Sequence, residues 1–163
     1  MAFRQTDNGE FRGQVVFSNV VLSAGCVTDT AVQAGANIAA SKLEQRNRHV
    51  YAQESATNAA DGAYVVHVNG GAGALVPGGA GCVVPPTNDA TVTVDLLKNG
   101  NSCLSAAIEI DSADSARAVV DGTIANTVLV AEDVLEIDIT GTAANGALGK
   151  GVFVVLDVRE NPS

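Results

Sequence analysis

The chain contains no tryptophan, and aromatic side chains make up only 4% of it. Sugar-binding clefts usually rest on aromatic platforms, so this scarcity speaks against a carbohydrate-binding module or a glycosidase. Basic residues are also few, 9 against 18 acids, and the net charge is −9. An acidic surface repels phosphates, which argues against a nucleic-acid partner. No stretch is long and apolar enough to cross a membrane as a helix, and Met1-Ala2-Phe3-Arg4-Gln5 lacks the apolar region of a signal peptide. The expectation is therefore synthesis in the cytoplasm, with no membrane partner. Cysteine is limited to Cys26, Cys82 and Cys103, and no C-x-x-C occurs. An odd number with this spacing fits neither a disulfide framework nor a zinc site, so buried free thiols in a reducing compartment are expected.

Catalytic patterns are equally thin. The two histidines, His49 and His67, fall in no recognisable nucleophile–base–acid arrangement, and no G-x-S-x-G is present. They are expected to be ordinary polar positions. Gly70-Gly71-Ala72-Gly73 follows a strand-like segment but leads towards Pro77, Pro85 and Pro86. No helix N-terminus follows that could hold a phosphate. Gly149-Lys150-Gly151 resembles the end of a phosphate-binding loop but lacks its earlier glycine and its Ser or Thr. Acid pairs occur at Glu109/Asp111, Asp111/Asp114, Glu132/Asp133 and Glu136/Asp138. Without an EF-hand pattern they are expected on solvated faces and turns, with a weak cation site near Asp111 and Asp114 the one alternative left open. The sequence thus points away from an enzyme, and no catalytic residue, cofactor or metal is expected.

What the chain does have is small and β-branched side chains. Hydrophobic residues form 47% of it, largely Ala and Val, beside 17 Gly. Gln14 to Leu22 and Tyr64 to Val68 are strand candidates by β-propensity. Ala90 to Leu97 places Val92, Val94 and Leu96 on one face against Thr91, Thr93 and Asp95, the alternation of a half-buried antiparallel strand. Lys98-Asn99-Gly100-Asn101 suits a hairpin turn, since Asn-Gly tolerates positive φ at both central positions. Ser102 to Ile110 then returns, with Leu104, Ile108 and Ile110 as core candidates. Further strands are expected over Ala116 to Ile124 and Asn126 to Val130. Val134 to Thr140 alternates Leu135, Ile137 and Ile139 against Glu136 and Asp138, and Gly151 to Val158 forms the last strand. Asn69 to Asp89, crowded with Gly and Pro, reads as a long irregular loop with an apolar stretch around Leu75 and Val76. Seven or eight short strands at this spacing point to an all-β, antiparallel β-sandwich or jelly roll.

The first third is different. Before residue 54, five basic residues (Arg4, Arg12, Lys42, Arg46 and Arg48) stand against four acids (Asp7, Glu10, Asp29 and Glu44), so nearly all the negative charge lies further on. The runs Thr28 to Gly35 and Ile38 to Arg46 suit short helical turns, neither long enough to stand alone in water. Residues 1–60 are therefore expected to form an extended, partly helical N-terminal arm and connector that docks on a neighbour. Residues 61–163 are expected to form the β-sandwich.

Two sets of segments carry a resemblance. The run from Val27 to Leu43 (VTDTAVQAGANIAASKL) resembles a connector of structural proteins of tailed phages. Asp89 to Gly100 (DATVTVDLLKNG), with Gly149-Lys150-Gly151-Val152-Phe153 and Leu156-Asp157-Val158-Arg159-Glu160, resembles small β-sandwich proteins of phage particles, including the cement proteins that decorate cyanophage capsids. The resemblance implies a virion protein on the outer surface of the capsid. Such a protein binds the major capsid protein, associates with itself as a homotrimer, and clamps neighbouring shell subunits. The alternative is a tail or fibre component that binds a host surface, although neither repeats nor a coiled-coil stem are present.

Aromatic and Arg side chains are favoured as interface anchors. On that basis capsid contacts are expected at Phe3, Arg4, Phe11 and Arg12 and along Lys42 to Arg48, including Leu43, Arg46 and Arg48. Trimer contacts are expected in the Gly70 to Pro86 segment, at Leu75, Val76, Pro77, Pro85 and Pro86.

Overall fold

The structure, a computed structural model, describes residues 45–160. The expected contacts Phe3, Arg4, Phe11, Arg12, Lys42 and Leu43 lie outside the described residues. So do the strand candidate Gln14 to Leu22, nearly all of the helical turns, and Cys26. Among the described residues the protein is all-β, without a helix. Ten strands form in chain order: β1 (Gln45–Ala52), β2 (Gly62–Val68), β3 (Gly73–Val84), β4 (Thr91–Lys98), β5 (Asn101–Ser102), β6 (Ile108–Ile110), β7 (Val120–Asp121), β8 (Val128–Leu129), β9 (Val134–Thr142) and β10 (Lys150–Glu160). They make two antiparallel sheets of five strands each. Sheet A runs β1-β10-β3-β7, with β8 also pairing β3; sheet B runs β2-β9-β4-β5, with β6 also pairing β4.

Sheet B follows directly from side-chain alternation. In β4 and β9 every second residue is aliphatic, and the register sets these residues side by side, Val94 opposite Ile139 and Leu96 opposite Ile137. Leu135, Ile137, Ile139 and Val92 are completely buried. Each such side chain stabilises the fold by roughly 1.5–3 kcal/mol relative to exposure. Slipping the register by one residue would bury Asp95, Glu136 and Asp138 instead, so the pairing is strongly specified. The hairpin from β4 to β5 forms as the Asn-Gly pair requires, with φ of 50° at Asn99 and 78° at Gly100. Leu104, Ile108 and Ile110 are buried as expected.

Sheet A uses smaller side chains. Val158 stands opposite Leu75, Val154 opposite Ala80 and Val152 opposite Cys82, and all six are buried. They join the inner face of sheet B in a single hydrophobic cluster.

Three expectations are corrected here. The Gly- and Pro-rich stretch is not a loop: residues 73–84 form β3, flanked by β10 on one side and by β7 and β8 on the other. Its glycines permit close approach, since a Cβ at Gly81 would collide with the Ala118 carbonyl oxygen and the Phe153 ring. Pro77 falls where the register passes from Gly79↔Val155 to Val76↔Asp157, an irregularity at which a missing N–H is tolerated. Secondly, the strand expected over Ala116 to Ile124 shrinks to Val120–Asp121, because Arg117 takes a positive φ of 63°. Thirdly, ordered β-structure starts before residue 61. Gln45–Ala52 is a strand paired along its length with β10, and it includes Gln45 and Arg46 of the expected helical turn. Its outward residues Arg46, Arg48 and Val50 alternate with half-buried Asn47, His49 and Tyr51, so no apolar period marks it.

Candidate functional site

β1 is the edge strand of sheet A, and it carries two of the expected contact residues. Arg46 and Arg48, two residues apart, lie on the same face of the strand. The register puts Arg48 directly opposite Asp157 of β10, with Arg46 on the diagonal. Arg48 donates from Nε to Asp157 Oδ1 at 2.8 Å and from Nη2 to Oδ2 at 2.9 Å, a two-pronged grip. Arg46 Nη2 donates to Oδ2 at 2.7 Å. The Asp157 side chain is only 3% exposed, whereas those of Arg46 and Arg48 are 59% and 66% exposed.

This asymmetry defines the electrostatics. The Arg48 hydrogen bonds outweigh the cost of burial and, with help from Arg46, hold the Asp157 carboxyl at about 2. Asp157 in turn raises Arg48 further above its ordinary value. Two guanidiniums on one carboxylate leave one net positive charge on an otherwise acidic body. Beside it lies a groove of about 210 Å³, lined by Arg48, Asp157, Val155, Gly78, Gly79, Val119 and Asp121. Gly78 and Gly79 contribute no side chains to its lining. The arrangement can present two oriented guanidinium heads to an acidic or polar surface. It contains no nucleophile held by a base.

The other expected contacts are scattered. Leu75 is 2% exposed and forms part of the core, so it offers no surface to a neighbouring copy. Pro86 is buried, Val76 and Pro85 are half-buried, and Pro77 lies within β3. The structure therefore does not gather these five residues into one exposed patch.

Three of these acids, Asp111, Asp114 and Asp133, serve local structure. Asp114 Oδ2 accepts from the Asp111 N–H at 2.9 Å, and Asp111 Oδ1 accepts from the Ala113 N–H at 2.7 Å. Asp133 accepts from the Val130 N–H and from Asn99 Nδ2, and the Val130 bond leads in holding its carboxyl below the usual range. Among the described residues no three His, Cys, Asp or Glu side chains cluster as metal ligands would. Cys82 and Cys103 are buried free thiols; burial pushes Cys82 up to about 11 and raises Cys103 as well.

Sequence reasoning missed two features. Asp157 drew no attention as a site residue, although an acid inside the apolar run Gly151 to Val158 was the available signal. The two histidines, expected at unrelated polar positions, are brought together with ring centroids 4.6 Å apart.

No family model matches the chain, and no curated protein matches it at a meaningful level.

Proposed function

We propose that this chain is a non-catalytic structural protein of a tailed-phage particle, a cement protein that binds the outer capsid surface and clamps neighbouring major capsid subunits. The observation that carries the proposal is the Arg46–Arg48–Asp157 cluster. Both arginine heads are exposed on a strand that is hydrogen-bonded along its length, and one buried carboxylate holds them in place. Pre-organised arginines lose little freedom on docking, which favours them as interface anchors. The acidic body and the resemblance of its strand segments to decoration proteins support the same reading.

The finer fold proposed is a jelly-roll sandwich. If β5 with β6, and β7 with β8, each occupy one strand position, the sheets read 1-10-3-7/8 and 2-9-4-5/6. That order is the one expected of two interleaved Greek keys. A homotrimer is proposed on the resemblance alone. In it, three modest contacts reinforce one another because the second and third are intramolecular.

The test is quantitative mass spectrometry of particles containing the chain, counted against the major shell subunit. A copy number comparable with that of the shell subunit is expected, and Arg46→Glu with Arg48→Glu should strip the protein from the shell. A few copies confined to the tail would favour the fibre component instead, and absence from particles would end the proposal.

A further inference from the structure

β1 and β2 are consecutive strands but belong to different sheets: β1 pairs with β10, and β2 with β9. Ring contacts join these two edges. His49 meets His67 with centroids 4.6 Å apart and planes tilted by 45°, and Tyr51 stacks on Tyr64 at 4.5 Å. The Nε2 atoms of both histidines are buried and have no hydrogen-bond partner. A buried imidazole nitrogen without a partner is costly even when neutral, and two protonated rings at this distance repel each other strongly.

We propose that His49, packed against His67, forms a proton-operated latch between the two sheets, closed while the His49 ring is neutral and loosening β1 as that ring takes up a proton.

The surroundings support this assignment. The space beside His49 is lined by Tyr51, Val66, Ile137, Val154 and Leu156, none of which can stabilise an imidazolium as a carboxylate would. From β10, Asp157 and Glu160 attract a proton to His49, but Asp157 already accepts from Arg46 and Arg48, which stand beside His49 on β1. From β9, Glu136 and Asp138 alternate with the buried Leu135, Ile137 and Ile139 and so lie on the other face of the sheet. Burial, followed by the charge of His67, depresses His49 below its ordinary value and outweighs the two acids. The docked ring therefore binds protons less readily than the released one, so falling pH favours release. The Arg–Asp157 cluster does not titrate in that range and keeps its grip, which confines the effect to the inner face of β1.

Hydrogen exchange of the full chain provides the test, expressed as protection factors for β1 and β9 at pH 7 and pH 5. One proton taken up on opening shifts the equilibrium by at most about tenfold per pH unit, and only between the docked and released titrations of His49, so β1 protection is expected to fall several-fold from pH 7 to pH 5 while β9 holds. The double variant His49→Gln, His67→Gln should abolish the fall. If that variant does not fold, NMR titration of the native chain decides, with His49 expected to take up its proton below the ordinary imidazole range as β1 protection is lost. Unchanged β1 protection, a fall that persists in the double variant, or a His49 titrating at or above the ordinary range would overturn the latch.

Discussion

The two sheets reach the same architecture by different means. Sheet B is built from strict alternation: Ile and Leu inward, Thr, Asp and Glu outward, with the aliphatic residues of β4 and β9 in register. Sheet A mixes Gly, Ala and Val with the buried Leu75, Leu129 and Leu156 around a strand that contains a proline, and its edge is fixed by two arginines on one carboxylate. Large aliphatic side chains fill the inner face of β4 and β9 in sheet B. Sheet A has no such regular pattern; its edge presents charge to the outside, and its His49 meets His67 of sheet B at the seam. Aliphatic alternation thus marks sheet B, and polar side chains brought together from distant strands mark the edge of sheet A.

Three substitutions and one change of condition sharpen that comparison. Ile137→Ala in β9 removes a completely buried side chain at the centre of sheet B, and a loss of about 4 kcal/mol is expected in chemical denaturation. A loss below about 1 kcal/mol would mean that sheet B does not dominate stability. The double change Arg46→Ala, Arg48→Ala is expected to destabilise the chain because it takes both ion-pair partners from Asp157, with a smaller loss than Ile137→Ala since both arginines are largely exposed. Its acid dependence has a definite sign. Asp157 titrates near 2 when folded and near 4 when unfolded, so the ion pairs contribute fully above pH ~4. That contribution, about 2 kcal/mol, is lost as the pH falls from ~4 to ~2, and a denaturation series across this range should show the slope in the native chain but not in the double variant. The smallest effect is expected for Gly100→Ala, about 1 kcal/mol, because open space surrounds a Cβ there and only the positive φ opposes it. A thermal melt is sufficient to measure it.

Sheet B was largely legible because its signal is local. The alternation of β4, the Asn99-Gly100 turn and the burial of Leu135, Ile137 and Ile139 all follow from the chain read residue by residue. β3 was not legible, because Gly and Pro report backbone freedom, and the same residues that loosen a loop let neighbouring strands approach within a sheet. β1 was hidden for another reason. Its half-buried His49 and Tyr51 meet the rings of His67 and Tyr64 across the seam, and its outward arginines pair with Asp157, more than a hundred positions away. Arg46 and Arg48 were named as contact residues from their type, while their geometry came from the register with β10. His49 and His67 look like isolated polar residues until two edge strands meet.

By itself, then, the sequence determined the class of the fold, the faces of sheet B and the acidic character of the body, because hydropathic period and net charge are properties of the chain. Tertiary structure alone decided that β3 is a sheet strand, that one buried carboxylate organises two arginines and that two imidazoles share a seam. Each of these depends on which strands become neighbours, and that choice belongs to the cooperative packing of the whole core.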